Sequence, residues 1–419
     1  MSTKAGLTLG IEIEFLLIGR KDASDLVYTT TDPTKPLTAM KQILQHRLPD
    51  VPFNTVSDDG HYENWTVTSD SSITLLPSEF AELPEDYFAQ DVELISRVFS
   101  YHDDDWHGEL EQILYVLHEL FNTTEPTFPF RLLVNETCGL HVHVGAGKDQ
   151  NHRFPLSTLS KLFQIVTGFE RLLSEMHPTS RLHEPACKTP SQFFRRRRAS
   201  PTARRRSGPA SHPLAWCDLI AQAARRAGGL DALVGAEDGH GHAYNFDGSI
   251  VGGATQAVPR KRTVEFRQHR GTLELLEIVA WCEVVTALVA FCDGATTADV
   301  RALLGGRVED ADYLLDDLLR DVGVQGDVRE YYFWRLGRKG GADEQLEAGR
   351  VRATGPMGRV VERVEKNRWR DGNEAIVGKW IKTYYEAGGF GRFGREVSGS
   401  LDRKYLEGRL VFRRDCFLQ

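Results

Sequence analysis

A chain of 419 residues, 41% hydrophobic and 26% charged, has enough apolar material for a large core and is long for a single domain. Its formal charge of −8 argues against a general nucleic-acid binder, which needs positive charge to displace counterions from phosphate. Six scattered cysteines with no C-x-x-C pair exclude a zinc-ribbon or dithiol framework and leave reduced thiols as the expectation.

No basic and then apolar leader follows MSTKAG, and no apolar run is read as reaching the roughly 20 residues of a membrane span, so a cytoplasmic protein without membrane contact is expected. The first element is LTLGIEIEFLL, Leu7 to Leu17, a strand. Alternation puts Ile11, Ile13 and Phe15 on one face and Glu12 and Glu14 together on the other. Two carboxylates so placed raise each other's pKa unless the face is wet or a cation lies between them. A helix is predicted over 37–48, then strands over 62–69, 72–80 and 91–98, the last holding Glu93 between Val92 and Leu94, with Asp70 at the end of the first.

The stripe Leu110, Ile113, Leu114, Leu117, Leu120 and Phe121 predicts a helix over 106–122, and strands are expected over 130–135 and 139–145. In TCGLHVHVGAG the alternation repeats: His141 and His143 share one face, Val142 and Val144 the other, an arrangement that suits a metal or an anionic substrate. Helices are predicted over 155–175 and 213–227. Between them QFFRRRRASPTARRRSGPASHP is too polar and Arg-rich to fold by itself, and 178–213 is expected to be a mobile insertion, a solvated loop or a patch for an anionic partner or nuclear import. Strands over 241–247 and 261–269 follow. In RTVEFRQHRGTLE, Glu265 and Arg267 share a face, which His269 is expected to continue. A helix over 274–291 leads into a mainly helical remainder with Gly-rich breaks near Gly337 to Gly341 and Gly388 to Gly394. Grouped strands with irregularly interposed helices favour an α+β fold, an antiparallel sheet with helices on one side, over a doubly wound parallel sheet. No G-x-x-x-x-G-K-[ST] loop is present to hold phosphate.

If these strands share a sheet, one face carries Glu12, Glu14, Glu93, His141, His143 and Glu265 with Arg267 alongside. Four carboxylates there repel unless divalent cations neutralise them, and oxygen-rich donors with histidine suit Mg²⁺ or Mn²⁺.

GIEIEF, the W-x-V-x-x-D-x-S run from Trp65 to Ser72, VELIS, CGLHVHVG, the Tyr244-Asn245 pair and VEFRQHRGTLE resemble, in order, the motifs of the amidoligase family, carboxylate-amine ligases of the glutamine synthetase-like fold. The resemblance spans roughly residues 7 to 290. It implies a curved antiparallel sheet whose concave face holds two or three Mg²⁺ (or Mn²⁺) ions between ATP and a carboxylate. ATP phosphorylates that carboxylate and an amine displaces phosphate, the acid and amine being small molecules or peptides. It points to Glu12, Glu14, Glu93, His141 and Glu265 as metal ligands, His143, Asp70 and Asn245 on the substrate side, and Arg267 on phosphate, with His269 and Arg270 expected beside it. On this reading a catalytic unit fills residues 1–292 and a helical region, 293–419, packs on it. Two other readings stand beside it: a hydrolase using a metal-activated water, and a non-catalytic adaptor binding polyanions through the Arg-rich stretch.

Overall fold

Strand β1 (Thr8–Arg20) is the spine of the sheet, because its thirteen residues are buried on both faces almost from end to end. A computed structural model of the chain describes residues 6–21, 35–55, 62–121, 130–148, 152–183, 187–199, 212–226, 228–234, 241–246, 249 and 262–336. Along one edge β1 pairs with β4 (Tyr87–Ile95) and β5 (Phe99–Ser100), and along the other with β6 (Phe130–Leu133) and β7 (Gly139–Gly145), all antiparallel. β2 (Phe53–Thr55) and β3 (Trp65–Thr68) extend the β4 side, where β2 and β3 are parallel; β9 (Thr263–Arg270) and then β8 (Tyr244–Asn245) extend the β7 side. The result is a mixed α+β fold around a mostly antiparallel sheet, nine-stranded among the described residues.

Leu9, Ile11, Ile13 and Phe15 point from β1 into the main core, each at most 1% exposed. That core is shared with α1 (Lys35–Arg47), α3 (Trp106–Phe121), α4 (Leu156–Gly168) and α10 (Leu275–Gly294). Each such side chain contributes roughly 1.5–3 kcal/mol on burial, so this face fixes which way β1 lies. α10 is apolar on every side, long and apolar enough to cross a membrane, contrary to the sequence reading; here nearly all of it is buried inside protein. On the other side of the sheet a small cluster of Leu16, Ile18, Ile73, Leu133 and Cys138 fills only the far end of β1.

Three expected elements differ. The strand predicted over 72–80 is a loop leading into the short helix α2 (Pro77–Glu82), because Pro77 begins a helix and the Glu79 carboxylate accepts the Leu76 N–H at 2.8 Å. The strand predicted over 91–98 is β4, displaced toward the N-terminus. It stops at Ile95 because the Ser96 hydroxyl takes the Ile11 N–H at 2.8 Å. The stretch expected to be one mobile insertion, 178–213, contains α6 (Thr179–His183) and α7 (Pro190–Ala199). Pro190 opens α7, Glu170 on α5 (Glu170–Leu173) accepts both the Ser191 N–H (2.7 Å) and its hydroxyl (2.8 Å), and both phenylalanines are buried, Phe194 stacked on Phe163 and Trp216 and Phe193 set edge-on to Phe194 and His242. Residues 200–211 lie outside the described residues, as do 337–419 with their Gly-rich breaks.

After α10 the chain forms α11 (Thr297–Arg307), α12 (Leu315–Asp321) and α13 (Gly326–Arg335). Arg335 reaches from α13 to the fully buried Glu277 of α10 at 3.1 Å. Glu277 also accepts from Arg270 Nε (3.1 Å) and Nη2 (2.8 Å) and from Thr272 Oγ1 (3.0 Å). Burial alone would raise its pKa; the Arg270 and Arg335 charges outweigh burial and hold it well below the usual carboxylate range. Its contribution to stability is therefore complete above the ordinary value of 4.5 and is lost only as pH falls toward that depressed value. Glu277→Gln leaves the buried Arg335 and the partly buried Arg270 short of their anion and should cost about 3 kcal/mol in denaturant unfolding; a loss below about 1 kcal/mol would contradict this account.

Candidate active site

The register of five strands brings the polar pairs together. Glu14 stands opposite Glu93 on β4, Glu12 opposite His141 on β7, and His143 opposite Glu265 on β9, whose other neighbour is Asn245 on β8. Directly opposed residues in an antiparallel sheet point to the same face, so one row runs Glu93, Glu14, Glu12, His141, His143, Glu265, Asn245 across the sheet. β7 stops pairing with β1 at Ile13, and β6 resumes only at Leu16. In that gap the Gly139 N–H, free of the ladder, donates to Glu14 Oε2.

The distances are those of a tightly coupled cluster. Glu12 Oε1 lies 3.0 Å from His143 Nε2, and its Oε2 lies 3.3 Å from His141 Nδ1. Glu14 Oε1 is 3.4 Å from His141 Nε2 and, although buried, has no hydrogen bond. Glu265 Oε1 accepts from Arg267 Nη1 (2.5 Å) and Oε2 from Asn245 Nδ2 (2.9 Å). His143 Nδ1 faces Thr263 Oγ1 at 3.0 Å. Burial pushes the Glu265 carboxyl up, but the His143 and Arg267 charges outweigh it and hold the pKa at about 2, so this carboxylate is ionised at any physiological pH. Burial pushes the Cys138 thiol up to about 12, which rules it out as a nucleophile near neutrality.

Among the described residues three overlapping sets each offer donor atoms within 4.8 Å of one another: Glu12, Glu93 and His141; Glu12, His143 and Glu265; and Glu14, Asp70 and Glu93. Carboxylate oxygens with at most one histidine in each set fit Mg²⁺ or Mn²⁺, and the buried Glu14 Oε1, without a hydrogen bond among the described residues, is a lone-pair donor suited to such an ion. His143, expected on the substrate side, is itself within one of these sets. The two other residues expected there are at opposite ends of the row: Asp70 beside Glu14 and Glu93, Asn245 on Glu265.

Two expected residues do not join the face. Between the pairs Leu140–His269 and Val142–Phe266, His141 alone stands opposite both Arg267 and Gln268, a β-bulge. The extra residue reverses the alternation, so Arg267 keeps the site face while His269 turns into the core against His177 and Trp281. Arg270 turns to Glu277. The bulge is pinned through the Arg267 backbone: its N–H donates to the Ala243 carbonyl at 2.8 Å, and its carbonyl accepts from Arg181 Nη2 at 2.8 Å. Arg181, on α6, carries no motif in its vicinity, and no periodicity in the sequence points to it. Thr263, at the start of β9, was missed for the same reason.

A family model described as "Putative amidoligase enzyme" matches residues 5–289. Among solved structures, a bifunctional glutathione synthetase from Pasteurella multocida is similar at a TM-score of 0.33 and 12% identity, over 96% of this chain and 52% of that one. The chain thus spans about half the length of that protein, and a likeness this distant carries no argument about chemistry. No curated protein matches the sequence.

Proposed function

The chain belongs to the amidoligase family, which makes it a ligase-type enzyme, and from that premise we propose that it joins a carboxylate to an amine with ATP as phosphoryl donor, on a sheet of the glutamine synthetase type. The observation that carries the proposal is the single row of Glu93, Glu14, Glu12, His141, His143 and Glu265 ending at Arg267, assembled from four strands and largely buried. Held by these carboxylates and histidines, two or three Mg²⁺ or Mn²⁺ ions would neutralise the triphosphate.

The protein's own groups have distinct tasks. Glu265, fixed by Asn245 and ionised by its surroundings, holds Arg267 in place through an ion pair. Arg267 keeps its Nε buried and unbonded, a donor available to the oxygens of a transferring phosphoryl group, where a preorganised cation has most effect. A carboxylate oxygen of the acid substrate attacks the terminal phosphorus of ATP and ADP leaves. The amine then attacks the acyl carbon, loses a proton, and phosphate leaves with the amide formed. Asp70, at the Glu14 end, and Asn245, at the Glu265 end, bound the stretch in which the two substrates meet.

The reading is tested by measuring ADP release over pools of carboxylic acids, amino acids, polyamines and short peptides with Mg²⁺ present. ADP should appear only where a competent acid is present, and amide only when an amine is added. Hydrolysis of amides or esters without any nucleotide would instead mark a metal-dependent hydrolase.

A further inference from the structure

We propose that Arg181 is a second oxyanion anchor of this site, gripping the transferring phosphoryl group together with Arg267; the identity of that group rests on the ligase reading, the existence of the anion site does not. Arg181 lies outside every motif above. It is 5% exposed, its Nη2 donates to the Arg267 carbonyl at 2.8 Å, and its Nε is buried with no hydrogen-bond partner among the described residues. Among the described residues it makes no ion pair, whereas Arg97, Arg270 and Arg335 each hold a carboxylate. A guanidinium is rarely buried without an anion, because desolvating the charge is costly unless something returns the lost interaction.

Its direction is read from Gly139. A Cβ built there would lie 2.7 Å from His141 Nε2 and 3.0 Å from Arg181 Nη2, so the absent side chain leaves room where ring and guanidinium meet. Arg267 Nη1 is on the other side of the same ring, 3.4 Å from His141 Nδ1. The two arginines therefore flank His141, each with an unbonded, buried Nε. A tetrahedral phosphoryl group offers three oxygens and can be shared between two forked donors; a carboxylate offers two and is satisfied by one.

The test uses inorganic phosphate and acetate as probes, titrated calorimetrically into the full chain with Mg²⁺ and into Arg181→Gln, Arg181→Lys and Arg267→Ala. Phosphate affinity should fall at least tenfold in Arg181→Gln and in Arg267→Ala, and at least threefold in Arg181→Lys, which keeps the charge but loses the fork; acetate affinity should not move. Arg181→Lys preserves the buried cation and decides the matter if the glutamine variant fails to fold. Phosphate affinity within twofold of the parent in Arg181→Lys and Arg181→Gln would reduce Arg181 to a backbone clamp. Loss of acetate rather than phosphate binding, or no phosphate binding by the parent chain, would also overturn the proposal. Arg181-dependent phosphate binding in a chain that never turns over ATP would sink the ligase reading and leave the anion site standing.

Discussion

Arg267→Ala is expected to lower turnover roughly 10²- to 10³-fold, the loss seen when one preorganised donor to a developing charge is removed. The expectation comes from the bulge in β9. By setting Arg267 and Gln268 opposite His141, it keeps Arg267 beside Glu265 while sending the next residues into the core, and the Arg267 backbone is bonded on both sides. The guanidinium is therefore fixed before substrate arrives and pays little reorganisation during transfer. Glu265 keeps its Asn245 bond in the variant, so cation binding should survive, with the melting temperature still rising on addition of Mg²⁺ and an ATP analogue. Arg267→Lys should recover only part of the rate, since an ammonium is a point charge and not a planar fork. Turnover within about fivefold of the parent in Arg267→Ala would remove this arginine from the chemistry.

Glu12→Gln should abolish the stabilisation by Mg²⁺ or Mn²⁺ with an ATP analogue. Glu12 belongs to two of the donor sets and hydrogen-bonds both histidines, so its loss reaches two of the sets at once. A ligand at one hundred times its dissociation constant adds about 2.7 kcal/mol to folding, a shift easily read by thermal unfolding. Glutamine has nearly the same shape and can still bond His141 and His143, while one of the mutually repelling buried charges disappears. Without metal the variant should therefore melt no lower than the parent. An undiminished rise in both Glu12→Gln and Glu265→Gln would mean that the row binds no cation.

Alternation made most of the row legible before any coordinates. E-x-E, H-x-H and E-x-R each set two polar groups on one face of an apolar strand, and antiparallel pairing then aligns them. The bulge was not legible, because VEFRQHR has no glycine or proline to mark an extra residue, and one inserted residue inverts every facing after it; hence the error at His269, while Arg270, expected at the site from the family resemblance alone, is drawn away by Glu277. The helix α7 was hidden by its own arginines: composition says solvated loop, yet two phenylalanines and the Glu170 cap decide the matter through residues distant in sequence. Arg181 is of the same kind. Its meaning depends on a carbonyl 86 residues away, and no local pattern records that.

The acyl-phosphate route is tested most directly by isotope. With the acid substrate labelled with heavy oxygen in its carboxylate and supplied with ATP, Mg²⁺ and the amine, the account predicts ADP as the nucleotide product and one labelled oxygen in each phosphate released. The bridging oxygen of the acyl phosphate leaves with phosphorus when the amine attacks carbon. AMP and pyrophosphate as products, or phosphate free of label while amide accumulates, would contradict it.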